Sequence, residues 1–307
     1  MADVGTNKRM IVQQKPVPGA SVPSSYAIRI GNIDVSVFSD GIISIPAEAM
    51  ATNADADVRA NWLQDQFLPT QDLNWALNAF VVRSGKQTIL IDSGLGDYSG
   101  YPRAGQFINR LSAAGIELAS VTDVILTHMH FDHVGGLLVP GVKAQLHPDL
   151  KIHLSAAEVS FWEAPDFSRT AMPPELVDVI RNTSSQFLSE YRSHLKTFEK
   201  EAQIAPGVIV TRTGGHTPGH SVVRVESDGD KLMFAGDALL PASFDHPEWH
   251  NGFEHDPEEA TRVRLRLMKE LATTGSLLVS THMPFPSVGH VAAAGDLFRW
   301  VPAWWDY

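Results

Sequence analysis

Short apolar runs, separated by turns rich in glycine, asparagine and aspartate, fill the first part of the chain. Gly31-Asn32 between two such runs is typical of a β-hairpin, and Asp40-Gly41 and Ser84-Gly85 indicate two further turns. We therefore predict a set of antiparallel strands here. The predicted strands span residues 26–30, 33–38, 42–45, 78–82 and 88–91.

The middle of the chain carries the spacing of amphipathic helices. Residues 103–114 place apolar side chains at helical intervals and end at Gly115, and residues 121–126, which contain the apolar run 124–126, are predicted to form a strand. Ser155 and Glu158 form the capping-box pattern that begins a short helix. Residues 173–198 are predicted to be mainly helical, with their charged side chains on a solvated face.

The second half of the chain repeats this order of strands, helix and strand. Asp256-Pro257 supplies an N-cap and a first-turn proline for a helix that ends before Gly275. Strands are predicted at 208–211, 221–226, 231–235 and 277–280. The two similar halves indicate an α/β fold in which two αβ units pack sheet on sheet. We predict one domain over residues 26–307 and a flexible arm over residues 1–25.

Composition narrows the classes of function and the compartment. The chain has 307 residues, a net charge of −11 and no cysteine, which excludes disulfides, thiol catalysis and cysteine-bound zinc. No basic stripe is present, so we expect no nucleic-acid partner. No apolar run is long enough to span a membrane, so we expect no membrane partner. Residues 1–25 lack the pattern of a signal peptide; we expect a cytoplasmic protein, and a periplasmic location stays open.

The densest chemistry in the chain lies between residues 128 and 133. His128, His130, Asp132 and His133 place four metal-binding side chains within six residues, directly after an apolar strand. Imidazole and carboxylate groups suit zinc and similar divalent ions. Such a density is not typical of a core or of an ordinary surface, so we predict a metal site.

Three further ligand candidates lie in loops that follow predicted strands. His216 lies in a glycine-rich loop between two strands, Asp237 follows a strand and a glycine, and His282 follows the last predicted strand. Rigid strands commonly hold functional loops in place. Any one of these residues alone would be an ordinary packing or turn residue, but together with residues 128–133 they indicate one shared site.

With these motifs, the chain resembles the metallo-β-lactamase superfamily. The matching motifs are His-x-His-x-Asp-His at 128–133, Gly-His-Thr-Pro-Gly-His at 215–220, Gly-Asp at 236–237, the late His282 and the early Asp92. The resemblance extends from residue 26 to the C-terminus. It implies an αβ/βα four-layer sandwich, with the metals at one edge of the two sheets.

The resemblance also implies a ligand set for two divalent metal ions. Zinc is the default, and manganese, iron and cobalt are alternatives for such a donor set. Asp132 would also be catalytic, by accepting a hydrogen bond from the nucleophile. The first ion would be bound by His128, His130 and His216, the second by Asp132, His133 and His282, and both by Asp237.

Two polar residues are candidates for supporting roles. Asp92 would orient a ligand histidine, with a plain strand-end turn as the alternative, and His220 would support or pack rather than ligate. The remaining histidines show no ligand context, and we expect ordinary surface or packing roles for them. They are His147, His153, His194, His246, His250, His255 and His290.

Beyond the ligands, the closer resemblance is to methyl parathion hydrolase-like proteins and their lactonase relatives. Five segments of this chain resemble the corresponding segments of proteins in that branch, namely residues 37–41, 127–136, 159–162, 285–290 and 298–302. It implies a dinuclear site, a hydrophobic pocket and a homodimer. The pocket would be lined by Phe161, Trp162, Met129 and Phe131, although core packing is expected for one of the first two. Residues 238–256 do not match the branch in detail, so the choice of substrate stays open.

The expected activity is hydrolysis by a hydroxide that bridges the two metals. The small-molecule substrate would be a neutral, apolar ester or lactone, with phosphotriester cleavage as a side activity. A glyoxalase II-like thioesterase is the alternative, and it would need a basic patch near the site. A non-enzymatic metal-binding protein is a third hypothesis, which is disfavoured because structural zinc sites are closed and rich in cysteine.

Overall fold

Two seven-stranded sheets form the centre of the part of the chain that the computed structural model describes, which is residues 24–98 and 100–304. The first half of the chain contains β1 (Ser25–Ile30), β2 (Ile33–Pro46), α1 (Ala56–Asp65), β3 (Asp72–Ser84), β4 (Gln87–Ile91), α2 (Phe107–Ala113), β5 (Asp123–Ile125), α3 (Phe131–Val134), α4 (Val142–Gln145), β6 (Lys151–Ser155), α5 (Ala156–Glu163), α6 (Pro174–Tyr191) and β7 (Leu195–Phe198). The second half contains β8 (Glu201–Ala205), β9 (Val208–Arg212), β10 (Ser221–Ser227), β11 (Asp230–Phe234), α7 (Pro257–Thr274), β12 (Leu277–Val279), β13 (Gly289–Ala294) and β14 (Leu297–Pro302).

Each sheet keeps its strands in chain order, from β1 to β7 in one sheet and from β8 to β14 in the other. In the first sheet, the pairs from β1 to β4 are antiparallel and the pairs from β4 to β7 are parallel. In the second sheet, β11 and β12 form a parallel pair and their neighbours pair antiparallel. The carboxyl ends of neighbouring parallel strands lie at the same edge of a sheet, where α/β proteins commonly place their sites.

Successive side chains along a strand point to opposite faces of its sheet, and both faces are buried. One face packs against the other sheet and the opposite face packs against helices. Phe80 of β3 belongs to the cluster between the sheets, where its ring lies 4.8 Å from the ring of Phe234 in β11. The next residue, Val81, points the other way into a cluster with helices α2 and α6. Met233 of β11 likewise packs against α7 on the outer face of the second sheet. The order helix, sheet, sheet, helix confirms the predicted αβ/βα sandwich.

The predicted turn at Asp40-Gly41 is wrong, because β2 continues through it with a bulge. Asp40 is fully buried, and its carboxylate accepts hydrogen bonds from the backbone N–H groups of Leu95, Gly105 and Phe107. Gly41 adopts a φ of +126°, which side-chain-bearing residues rarely adopt. The Asp-Gly pair therefore attaches the loop after β4 to the first sheet instead of reversing the chain.

The helix predicted for residues 173–198 is too long. Helix α6 ends at Tyr191, and β7 follows it and pairs in parallel with β6. Four strands and three helices were not predicted, namely β6, β8, β13, β14, α1, α3 and α4. These strands are short, and pairing with distant segments determines them more than local propensity does.

The ends of the predicted domain are only partly within the described residues. Residues 1–23 of the predicted arm lie outside them, whereas Ser25 already belongs to β1.

The helix start at Asp256 is confirmed, since the side chain of Asp256 accepts a hydrogen bond from the backbone N–H of Glu259 at 3.2 Å. No helix within residues 24–98 and 100–304 is long and apolar enough to cross a membrane.

Candidate metal centre

The predicted ligands converge where the carboxyl ends of strands from both sheets meet. His128 lies three residues after β5, Asp237 three residues after β11 and His282 three residues after β12. His216 lies in the loop between β9 and β10. Because each strand ends at the same edge of the sandwich, residues far apart in sequence come together there, and all of these side chains are buried.

Three histidines face one another in a first group. His128 Nε2 and His216 Nε2 each lie 3.0 Å from His130 Nδ1. Burial lowers the pKa of all three imidazoles well below its usual value, so they are neutral and offer lone pairs at neutral pH. A single proton shared among these three facing nitrogens could form a hydrogen bond with only some of them. A divalent cation placed between them would instead accept a lone pair from each of the three.

A second group contains one carboxylate and two histidines. His133 Nε2 and His282 Nε2 each lie 3.6 Å from Asp132 Oδ2. Burial by itself would lower the pKa of both imidazoles, but the surrounding carboxylates, Asp237 first, raise the pKa of both above the usual value. The group thus has a negative potential that attracts a cation.

Asp237 lies between the two groups. Its Oδ2 is 2.9 Å from His282 Nε2 and 3.5 Å from His216 Nε2, and its Oδ1 is 3.3 Å from His133 Nε2. Burial would raise the pKa of Asp237, but His282 and His133 hold it well below the usual value, so this residue is a carboxylate. Asp237 is therefore placed to contact cations in both groups.

Two of these buried atoms lack a hydrogen-bond partner among the described residues. They are His133 Nε2 and Asp237 Oδ1, which face each other. Leaving a buried polar atom without a partner costs about 1–3 kcal/mol, and imidazole and carboxylate are ligands that zinc and related ions bind readily. The residues present therefore fit divalent metal ions.

Asp92 lies behind the centre, at the end of β4. Its carboxylate accepts hydrogen bonds from His133 Nδ1 at 2.8 Å and from the backbone N–H of Thr127 at 2.8 Å. Since Nδ1 of His133 donates to Asp92, Nε2 is free to face the metal groups. The structure thus gives Asp92 the contact that was expected of a residue that orients a ligand histidine.

His220 contacts the backbone of a ligand candidate and not the metal groups. The backbone N–H of Asp237 donates to His220 Nε2 at 3.2 Å, and His220 Nδ1 lies 2.9 Å from Thr213 Oγ1. Burial lowers the pKa of His220 to about 4, so its ring is neutral and its Nε2 can accept this bond. The supporting role of His220 stays a prediction.

Glu158 joins the two ligand loops, a role that its capping-box pattern alone does not indicate. Its Oε1 accepts hydrogen bonds from the backbone N–H of Met129 at 2.9 Å and from Trp162 Nε1 at 2.7 Å. Its Oε2 accepts from Thr217 Oγ1 at 2.7 Å and from the backbone N–H of Gly219 at 3.0 Å. Four donors from three segments meet this one buried carboxylate, so it fixes the loops relative to each other.

His255, for which a surface or packing role was expected, lies beside the first ligand group. It is buried, and its Nε2 lies 3.4 Å from Nε2 of His130, which is 125 residues away in the sequence. Burial lowers the pKa of His255 to about 4. No spacing or motif in the sequence connects the two residues, because the contact depends on the path of the segment between β11 and α7.

The centre opens into an apolar cavity. The space beside the ligand side chains of Asp132, Asp237 and His282 measures about 20 Å³, which is room for about one water molecule. A second space of about 730 Å³ adjoins it. The two spaces share the wall residues Ile45, Tyr101, Leu176 and Phe253.

The predicted pocket residues take different places. Phe131 lines the space beside the ligands, and Phe161 packs edge-on against His255 with ring centres 4.9 Å apart. Trp162 is buried and donates to Glu158. The structure places Met129 in the core instead of on the cavity wall. Trp75, Tyr101, Leu176 and Phe253 form the wall that the sequence did not indicate.

Comparison with known proteins relates this geometry to a family. The model of the metallo-beta-lactamase superfamily matches residues 75–282. Among solved structures, AidC, a dizinc quorum-quenching lactonase in complex with the product N-hexanoyl-L-homoserine, is 26% identical with a TM-score of 0.85 and covers 92% of this chain and 99% of that one. The hydrolase AbOPH of the beta-lactamase superfamily is 27% identical with a TM-score of 0.81 and covers 93% of this chain and 99% of that one.

Curated relatives match a smaller part. An atrochrysone carboxyl ACP thioesterase of Passalora fulva is 29% identical over 53% of this chain. The chain spans 38%, 55% and 47% of the lengths of the first three curated relatives.

Proposed function

The chain belongs to the metallo-β-lactamase superfamily, and from this premise we propose that it is a dinuclear hydrolase that opens neutral lactones carrying an apolar acyl chain. Metal-dependent hydrolysis is the chemistry of this family and of its lactonase neighbours. The choice of substrate is supported by one observation above all: the ligand groups open into the apolar cavity of about 730 Å³.

The shape of the cavity supports a substrate with a small polar head and an apolar tail. The narrow space beside Asp132 and His282 suits the carbonyl group of a lactone, and the wider space beyond Leu176 and Phe253 suits an acyl chain. Among the described residues that line the wider space, the charged side chains are Glu48 and Glu175, and neither would attract an anionic substrate. A neutral substrate is therefore favoured.

Two divalent ions, with zinc as the first expectation, would be held by the two ligand groups. His128, His130 and His216 would hold one ion, Asp132, His133 and His282 the other, and Asp237 both. When bound, such ions supply an acidified water for attack and positive charge that stabilises the developing oxyanion.

The protein side chains position and enclose the reaction. Asp132 lies at the cavity wall, where its carboxylate would accept a hydrogen bond from the attacking water and orient it towards the carbonyl carbon. Trp75 and Phe253, whose rings lie 5.9 Å apart, cover the space beside His282 and exclude bulk water. We also expect a homodimer and a cytoplasmic location, which stay predictions.

A panel of substrates tests the proposal. Zinc-loaded protein is assayed with N-acyl homoserine lactones of four to twelve acyl carbons (about the span of the cavity), an aryl ester, a phosphotriester and a glutathione thioester. We expect kcat/KM to be greatest for lactones and to rise with chain length. Turnover of the thioester alone would instead establish the thioesterase alternative, which one curated relative favours, and no turnover of any substrate would contradict the proposal.

A substitution in the cavity wall tests where the acyl chain binds. Leu176→Trp narrows the passage between the two spaces, so kcat/KM for a ten-carbon lactone should fall at least about tenfold while a four-carbon lactone is affected little. Leu265→Trp on α7, where Leu265 is 41% exposed, is the control. Equal losses for both chain lengths would place the acyl chain elsewhere.

A further inference from the structure

His255 is fixed to the first ligand group through its backbone. Its N–H donates to the carbonyl oxygen of His216 at 2.8 Å, and the next N–H, of Asp256, donates to the carbonyl oxygen of Gly215 at 3.0 Å. Asp256 is also the N-cap of α7. The position of His255 is therefore defined relative to the ligand loop.

The side chain of His255 has a defined tautomer. Nδ1 lies 3.0 Å from the carbonyl oxygen of Asp166, and a carbonyl oxygen only accepts, so Nδ1 carries the proton. The ring is enclosed by the rings of Phe161, Trp162 and Phe167, with centres 4.9 to 5.9 Å away. With its proton on Nδ1, the imidazole of His255 offers the lone pair of Nε2 as a hydrogen-bond acceptor.

His130 has the complementary arrangement. Its Nδ1 faces His128 and His216 and is the nitrogen that would bind a metal. A neutral imidazole that presents the Nδ1 lone pair carries its proton on Nε2. Nε2 of His130 lies 3.4 Å from Nε2 of His255, so the donor of one ring faces the acceptor of the other.

We propose that His255 is a positioning residue that orients His130 for metal binding through a chain from the Asp166 carbonyl oxygen to His255 and from His255 to His130. The inference rests on the proposed metal-binding role of His130. Histidine ligands usually donate their second nitrogen to a carboxylate, a carbonyl group or water, and the loss of such a partner commonly lowers metal affinity about 10- to 100-fold. Here a second imidazole takes that place and selects the Nδ1-binding tautomer.

Three variants test this role. His255→Leu removes the acceptor, and zinc affinity, measured by competition with a chelating dye, should fall about 10- to 100-fold. His255→Gln keeps an oxygen acceptor for His130 and an N–H donor for Asp166, and it should restore most of the affinity. His246→Leu is the matched control, because His246 belongs to the same segment but stacks on Trp249 with ring centres 3.8 Å apart.

A spectroscopic readout separates positioning from general loss of structure. In cobalt-substituted protein, the visible absorption bands should shift for His255→Leu and remain close to wild type for His255→Gln and His246→Leu. If His255→Leu does not fold, as judged by urea unfolding of the metal-free protein, the comparison of His255→Gln with His255→Asn, whose shorter side chain cannot reach both partners, decides the question.

The outcomes separate this inference from the proposed function. Wild-type zinc affinity in His255→Leu, or no difference between the leucine and glutamine variants, would overturn the role of His255. Zinc binding without lactone hydrolysis in the wild type would contradict the proposed substrate and leave the role of His255 intact.

Discussion

His133, His282 and His130 each present one defined nitrogen to the centre, because a protein group occupies the other. Nδ1 of His133 donates to Asp92, and Nδ1 of His282 donates to the carbonyl oxygen of Ala76 at 2.9 Å. His130 is the exception in orientation, since its Nε2 faces His255 and its Nδ1 faces the other ligands. Residues outside the ligand set therefore decide which lone pairs are available for a metal.

Removal of one ligand should empty the first group. We expect His128→Ala to bind less than two equivalents of metal and to lose more than about a hundredfold in kcat/KM, since losing a ligand costs more than losing its supporting partner. Metal content by atomic spectroscopy and lactone turnover are the measurements. His153→Ala is the control, because His153 pairs with Asp123 at 2.8 Å away from the ligand groups. Full metal content and turnover in His128→Ala would contradict the ligand assignment.

The carboxylate of Glu158 should stabilise the fold as well as the loops. Glu158→Gln replaces one accepting oxygen with an NH₂ group that faces two donors, so we expect the free energy of unfolding to fall by about 2–4 kcal/mol. Urea denaturation measures it. Glu163→Gln, in the same helix, is the control, because that carboxylate is exposed and pairs with Arg192; it should change stability by less than about 0.5 kcal/mol. Equal effects of the two changes would refute the assigned role.

At the scale of elements, α7 holds the segment that leads to His255. Arg264 of α7 is buried and donates to the carbonyl oxygens of Pro247 and Trp249 at 2.7 and 2.9 Å. It also pairs with the buried Glu254, whose other oxygen accepts from the backbone N–H of Asn251. The segment after Asp237, which the family resemblance did not match, is thus fixed by one helix and carries both Phe253 of the cavity wall and His255.

Glu254 should make stability depend on pH. Burial raises the pKa of Glu254 to about 7 although Arg264 opposes the shift. The folded state therefore binds this proton more tightly than the unfolded state does, so its stabilising contribution is complete below the unfolded pKa of 4.5 and is lost as the pH rises through about 7. The loss amounts to about 3 kcal/mol at most.

Comparison with a variant isolates this contribution from those of the other titrating groups. Urea unfolding of wild type and Glu254→Gln is measured between about pH 4.5 and 8, the range set by the two pKa values. We expect the wild type to lose stability relative to the variant as the pH rises. A constant difference across this range would show that Glu254 does not titrate there.

At the scale of the whole molecule, the centre joins the two halves of the sandwich. Four of its ligand candidates follow β5 in the first sheet, and three lie in loops of the second sheet. Bound metal would therefore cross-link the edges of two sheets that also contact each other through apolar packing, such as that of Phe80 with Phe234, and through hydrogen bonds, such as that from Asn78 Nδ2 to the carbonyl oxygen of Thr281. Metal binding and the stability of the whole fold should be coupled.

Removing the metal tests this coupling. We expect a chelator to lower the Tm of the zinc-loaded protein, since a ligand at a thousand times its Kd stabilises a fold by about 4 kcal/mol. Calorimetry with and without chelator measures the change. Asp237→Asn, which weakens the carboxylate that contacts both groups, should show a smaller chelator effect. A Tm that does not respond to the chelator in the wild type would mean that the metal does not link the halves.

The sequence by itself determined the ligand candidates, the strands that precede them and the fold class, because hydrophobic alternation and a dense His-Asp run are local properties. His255, Glu158 and the cavity wall were decided by the tertiary structure. Their contacts join residues that are distant along the chain, such as His255 and His130, and no local pattern encodes such a pairing. The wrong prediction at Asp40-Gly41 has the same cause. The pair looks like a turn in the sequence, but the buried Asp40 carboxylate accepts hydrogen bonds from three distant N–H groups and the strand continues through a bulge. Local chemistry therefore identifies the centre, and packing decides which side chains position it and which substrate can reach it.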